Sequence, residues 1–213
     1  MPTQNIYEFI VLQQKDAHTD LQPLLADYDR EARSVEGSIA SRHFRSFYAL
    51  PQPDNFPVYV LVYQWAERDT LPLAVNHLTN TAAIRALLDA ADIVTLALTE
   101  QIEGDAIDVS RLAAEPGQVL EVAVRRIKAD QEAEFEAQRR AFVSRLDAKT
   151  AVIASYELKA VLGNRPERLT VGLTVYRDVE SFQQLAAEIM ADPATMPYFA
   201  TFDAEALKYT QSL

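Results

Sequence analysis

Short apolar runs and helical apolar stripes alternate along the chain in a fixed order. Residues 5–14, NIYEFIVLQQ, are rich in β-branched and aromatic side chains and short enough for a strand. Leu21, Leu24, Leu25, Tyr28, Ala32 and Val35 then recur every three or four residues. That spacing predicts a helix with Thr19 or Asp20 as N-cap, Pro23 tolerated in its first turn and Gly37 as its stop. A second strand is expected over 38–50 and a third over 56–65, separated by the loop PQPDN. A helix from about Asp69 to Leu88, interrupted near Thr79, Asn80 and Thr81, and a strand over 93–102 complete the order β-α-β-β-α-β.

After a stretch punctuated by Gly104, Asp105, Asp108, Pro116 and Gly117, which has the composition of a linker, the order returns. Residues 118–128 match the first strand, with Glu121 in the place of Glu8. Phe135, Phe142, Val143 and Leu146 mark a helix. VIASYEL over 152–158 matches SIASRHF, so Ile153, Ala154 and Ser155 repeat Ile39, Ala40 and Ser41. Residues 168–176 match the third strand and set Tyr176 opposite Trp65. A helix carrying Phe182, Leu185, Ile189 and Met190 breaks at Asp192 and Pro193, and ALKYT over 206–210 closes the second unit. The expected division is 1–103, a linker over 104–117, and 118–213.

A β-α-β-β-α-β unit builds a four-stranded antiparallel sheet with both helices on one face, and the bare face needs cover. Two copies in one chain can cover each other, so a monomer suffices and a homodimer stays open. Strand alternation assigns Tyr7, Phe9 and Val11, like Leu120, Val122 and Val124, to a wholly apolar face suited to packing under helices. The opposite face would then hold polar groups between the sheets or at a rim, in ion pairs such as Glu8 with Arg45 and Glu121 with Lys159.

Composition narrows the chemistry. The chain has 213 residues, 20 basic and 31 acidic, for a net charge of −11. That charge repels phosphate backbones and anionic lipid, which argues against nucleic acid or membrane as partner and leaves a small-molecule ligand. The excess is uneven: 7 basic and 16 acidic residues over 1–110, net −9, against 13 and 15 over 111–213, net −2. With no cysteine there is no disulfide, thiolate nucleophile or Cys-bound zinc. Three scattered histidines have no metal-ligand spacing, and five glycines form no phosphate-binding loop, so no metal or nucleotide cofactor is expected. The start, MPTQNIYEF, lacks a basic segment followed by an apolar core, and a cytoplasmic location is the default.

The element order, the QWAERDTL turn after the third strand and the step from His77 through Leu78 and Thr79 to Asn80 before AAIRALL resemble the dimeric α/β-barrel superfamily. Within it the resemblance is to the antibiotic-biosynthesis-monooxygenase group, over nearly the whole chain as two fused copies. It implies an α+β fold of tandem ferredoxin-like units whose antiparallel sheets pack face to face as an intramolecular barrel. It also implies a cofactor-independent monooxygenase acting on a small aromatic or quinol with O2. Trp65 stands where such enzymes and their haem-degrading relatives carry a functional tryptophan, although a lone tryptophan is as readily a core residue. His77 or His43 would take the proton, Tyr59, Tyr63 and Trp65 would wall the pocket, and Arg85 or Arg45 would steady the anion, with Glu8 nearby. His77 can equally cap the helix break, and His43, which pairs with Glu157 in the repeat, can serve a structural hydrogen bond. The haem-degrading relatives' axial histidine falls near Leu87 or Leu88 and their pocket asparagine near Leu12 or Gln13, so the haem-binding residues are not matched. Because Trp65 and His77 occur in one copy alone, the resemblance places an active site in the first unit. The rival functions are a non-catalytic ligand-binding or structural pseudo-dimer and an isomerase or cyclase on the same barrel.

Overall fold

The structure, a computed structural model, describes residues 5–50, 55–66, 80–162 and 166–213. The elements are β1 (Ile6–Gln14), α1 (Gln22–Ser34), β2 (Ser38–Leu50), β3 (Val58–Trp65), α2 (Ala82–Ala90), β4 (Ala91–Glu103), β5 (Val119–Ile127), α3 (Glu132–Asp147), β6 (Val152–Leu162), β7 (Leu169–Tyr176), α4 (Val179–Ala191), α5 (Met196–Ala200) and β8 (Phe202–Ser212). The expected α1 N-cap moves. Leu21 occupies that position without a side-chain bond, while Asp16 caps the preceding loop by accepting from the backbone of His18 and Thr19. The interruption expected near Thr81 is the start of α2, where the Thr81 hydroxyl accepts from Ile84 N at 3.2 Å. The stretch before Asn80 over which the sequence predicts the start of that helix, with His77, lies outside the described residues.

The eight strands form one closed antiparallel barrel in the order β1-β3-β2-β8-β5-β7-β6-β4. Strands of each half keep the same relative order, β4-β1-β3-β2 and β8-β5-β7-β6. The two seams are β2 with β8, where Arg45 pairs Gln211, and β4 with β6, where Glu100 pairs Lys159. Closure inside one chain leaves no open end to the strand order, which is the usual way a sheet loses its exposed edges.

Closure also reverses the expected faces. Tyr7, Phe9, Val11, Val58, Val60 and Val62 meet Leu120, Val122, Val124, Val171, Leu173 and Val175 inside the barrel. The wholly apolar face thus fills the interior, where side chains from both halves meet and no water or helix can satisfy a polar group. The Glu8 and Glu121 faces point outward under the helices. Ile6, Ile10, Tyr59, Leu61, Tyr63 and Trp65 pack against Leu21 at the start of α1, Leu25, Tyr28 and Ala32 of α1 and Leu87 of α2. Helices α3, α4 and α5 cover the second half through Phe135, Leu146, Phe182, Leu185 and Tyr198.

The expected ion pairs do not form, because register forbids them. Glu8 stands opposite Tyr63 on β3 and Arg45 opposite Tyr59, four residues or about 13 Å away along the strand. Glu121 opposite Thr174 and Lys159 opposite Thr170 repeat that offset.

The segment over 104–117 is also more than a linker. Ile107, Val109, Leu112 and Ala113 are buried in the barrel's interior cluster, and Val109 N donates to Gln64 Oε1 at 3.3 Å. The connection stoppers one end of the barrel. Gly104 lets it start: its φ is +97°, and a Cβ there would stand 2.6 Å from the Ser155 carbonyl oxygen.

Candidate functional site

The outer faces of β3 and β7 occupy matching places, and comparing them shows where space exists. By register, Tyr59, Leu61, Tyr63 and Trp65 of β3 correspond to Thr170, Gly172, Thr174 and Tyr176 of β7, and Ile10 of β1 to Ala123 of β5. The bulky set closes against α1 and α2. The small set leaves a cavity of about 500 Å³ between the second-half strands and α3, α4 and α5, within the usual range for small-molecule sites. Phe142, Leu146, Ala186 and Ile189 from the helices and Phe202 and Leu207 from β8 give it largely apolar walls.

Two ionisable side chains enter this cavity from β5, Glu121 and Arg125. Glu121 accepts a hydrogen bond from the Tyr176 hydroxyl at 2.5 Å. Burial pushes the Glu121 carboxyl up from the ordinary range, against the pull of Tyr176 and Arg125. Arg125 donates through Nη2 to both oxygens of Glu157, at 2.6 and 2.7 Å, and through Nη1 to the Tyr198 hydroxyl. Arg125 is 4% exposed and Glu157 3%, so this pair is desolvated. Glu157 holds the guanidinium charged, while burial pushes the Glu157 carboxyl up and Arg125 draws it back. The guanidinium lies 5.4 Å from the Phe135 ring and 5.9 Å from the Phe202 ring. Gly172 makes the space: a Cβ there would sit 2.9 Å from Arg125 Nη2.

The residues singled out from sequence lie elsewhere. Trp65 is 1% exposed and donates its indole N–H to Glu8 Oε2 at 3.1 Å. Burial pushes the Glu8 carboxyl up to about 7, with the indole drawing it down. Tyr63 stacks on Trp65 with ring centres 6.1 Å apart, and Tyr28 meets Tyr63 edge-on at 5.9 Å. His43 Nε2 lies 3.1 Å from the Tyr63 hydroxyl and 3.3 Å from Asp29 Oδ1. The structure therefore brings the half-buried His43 and the buried Tyr63, Trp65 and Glu8 into one connected group beneath α1. Tyr59, Tyr63 and Trp65 are packed into the first-half core and do not line the second-half cavity. Arg45 and Arg85 are exposed, and His77 lies outside the described residues.

Arg125, Gly172 and Tyr198 were not flagged by the sequence. Their signal was available as a contrast between the halves: Leu12, His43 and Leu61 in the first half stand where Arg125, Glu157 and Gly172 stand in the second. Among the described residues no three His, Asp or Glu side chains gather as a metal site, and no helix is long and apolar enough to cross a membrane.

No protein-family model matches the chain, and no curated protein matches it in sequence. Solved structures do. An anthrone oxidase-like protein aligns with TM-score 0.66 and 12% identity over 98% of this chain and 91% of its own. A candidate monooxygenase from Fusobacterium nucleatum aligns with TM-score 0.59 and 12% identity over 100% and 95%. A DypB variant from Rhodococcus jostii in complex with heme aligns with TM-score 0.58 and 11% identity over 100% and 94%. At these identities the likeness is one of fold, an α+β chain with a closed eight-stranded antiparallel barrel, consistent with a dimeric α/β barrel.

Proposed function

We propose that this chain binds a small, largely apolar aromatic molecule in the second-half cavity and oxidises it with O2 without a cofactor. The observation that carries the reading is the cavity itself, an apolar chamber of about 500 Å³ with a buried carboxyl in its wall. The fold shared with an anthrone oxidase-like protein and a candidate monooxygenase supports the reaction class. The matched registers, with Glu8–Trp65 echoed by Glu121–Tyr176, support a chain of two fused copies over 1–103 and 118–213. In this reading they are monooxygenase-type ferredoxin-like units.

Glu121 is the base. A buried carboxylate with a raised proton affinity takes a proton from an acidic ring carbon of the ligand more readily than an exposed one. The carbanion gives its electrons to O2, the hydroperoxide formed at that carbon loses water, and a ring CH2 with O2 becomes a carbonyl with H2O. The apolar walls keep bulk water from the anion.

Heme, which the DypB structure holds, does not suit this cavity. All three histidines precede β5 and the chain has no cysteine. In the wall both carboxylates are engaged, Glu121 by Tyr176 and Glu157 by Arg125, and Arg125 also donates to the Tyr198 hydroxyl.

A second reading, binding without turnover, is favoured by the engagement of both wall carboxylates, Glu121 by Tyr176 and Glu157 by Arg125. Oxygen uptake with anthrone separates the readings. Thr174→Tyr, which puts the first-half side chain into the cavity, should abolish uptake and binding together, while Trp65→Phe and His77→Ala leave both. Binding without uptake leaves the non-catalytic reading. Uptake that survives Thr174→Tyr and disappears in Trp65→Phe moves the reaction to the first half.

A further inference from the structure

One charged group in the cavity wall is open to a ligand. Glu121 lies on β5 beneath the helices, yet it keeps accessible surface, and that surface lines the cavity. Its Oε2 accepts from the Tyr176 hydroxyl, but its Oε1 has no donor among the described residues and is not sealed in. A ligand inside the chamber therefore meets that oxygen directly. Of the other charged side chains in the wall, Arg125 and Glu157 are held together at 2.6 Å, which leaves Glu121 outside any ion pair among the described residues. Burial pushes the Glu121 carboxyl up, and neither the Tyr176 hydrogen bond nor the charge of Arg125 cancels that effect.

Charge separates the ligand classes that could meet Glu121 Oε1. A ligand carboxylate adds like charge to a wall that already sets two carboxylates against one guanidinium. A hydroxyl donates to Oε1 but brings no charge. An ammonium donates and supplies the missing positive charge together. The fold has already desolvated the carboxylate, so binding adds only the desolvation of the ammonium. Phe142, Tyr176, Phe199, Phe202 and Tyr209 line the same chamber with aromatic surface, which attracts a cation.

We infer that Glu121 Oε1 is an ammonium subsite, and that the second-half cavity takes protonated primary amines carried on an aromatic body ahead of the matching alcohols and carboxylates. This rests on the second-half cavity being the ligand site, and not on the oxidation. A bound ammonium occupies the oxygen that receives the substrate's proton in the proposed reaction, so such amines block it.

The test uses three probes sharing one bicyclic frame: 2-naphthylmethylamine, 2-naphthylmethanol and 2-naphthoate, each measured by equilibrium dialysis against the full chain at about pH 8, where the amine is largely protonated. Wild type should hold the ammonium at least about tenfold more tightly than the alcohol, with the carboxylate weakest. Glu121→Gln keeps the shape and an acceptor for Tyr176 but removes the charge. It should bring the ammonium to within about twofold of the alcohol. Thr174→Tyr fills the chamber and should abolish binding of both, which separates the cavity from the acidic surface of the chain. Wild type with no preference for the ammonium overturns the subsite and leaves the cavity reading standing. An ammonium preference that survives Glu121→Gln or Thr174→Tyr also overturns the subsite, because it then arises elsewhere on the chain. Should Glu121→Gln fail to fold, the wild-type ranking and Thr174→Tyr decide alone. Failure of wild type to bind any of the three overturns the cavity reading itself.

Discussion

Replacing Glu8 with Gln removes a buried carboxyl that faces the Trp65 indole and keeps the shape and the hydrogen-bond acceptor. Glu8 moves from the ordinary 4.5 to about 7 because burial penalises its charged form. The folded protein therefore holds a proton that the unfolded chain has released. The stability this contributes is complete below pH 4.5, is lost as pH rises to about 7, and changes no further above that. At about 1.4 kcal/mol per pKa unit the loss across the window is about 3 kcal/mol. Glu8→Gln cannot titrate, so the difference between variant and wild type should swing toward the variant by about that amount between pH 4.5 and 8. Urea unfolding at four pH values measures it, and subtraction cancels groups common to both proteins, such as Glu121 and Glu157. Trp65 is the only tryptophan and donates directly to Glu8, so its fluorescence supplies an independent titration with a midpoint near 7. Parallel stability curves from pH 5 to 8, with no transition in Trp65 emission, would refute the claim that burial controls this carboxyl.

Two further outcomes test the packing. Gly172→Ala places a methyl 2.9 Å from Arg125 Nη2 and should cost about 1–3 kcal/mol in chemical denaturation, because the guanidinium is pinned by Glu157 and Tyr198. Leu112→Ala, in the segment that stoppers the barrel, should cost about 2–5 kcal/mol, whereas a solvated linker would give almost no change.

Much of the fold was legible because its signals are local. The β-branched runs, the three-to-four spacing of Leu21, Leu25, Tyr28 and Ala32, and the recurrence of Ile-Ala-Ser at 39–41 and 153–155 each name an element or its counterpart in the other half. Which face of a strand points inward was not legible, since β1 is apolar on both sides and only barrel closure decides between Tyr7, Phe9 and Val11 and their neighbours Ile6 and Ile10. The segment over 104–117 carried real turn signals, but the role of Ile107, Val109 and Leu112 depends on a barrel end that exists only after both halves meet. Chemically distinctive residues drew the site to Trp65, His43 and His77. The cavity is made by Gly172, Thr174 and Ala123, whose common property is lack of bulk, and absence of bulk carries no motif.

The contrast between halves also bears on whether the cavity is functional. Leu12, His43 and Leu61 show what this position of the fold accepts in a packed half. Arg125 in place of Leu12 needs a counter-charge, and Glu157 in place of His43 provides it; it also needs room, and Gly172 in place of Leu61 provides that. Each change is harmful without the others: a buried arginine lacking its partner costs about 3–5 kcal/mol, and a glycine inside a strand about 0.5–1 kcal/mol. Even the complete set is no more stabilising than the apolar alternative, because desolvating both charges offsets most of their attraction. Packing alone therefore gives no reason for the three to occur together beside an open chamber. A ligand held in that chamber, as proposed above, does.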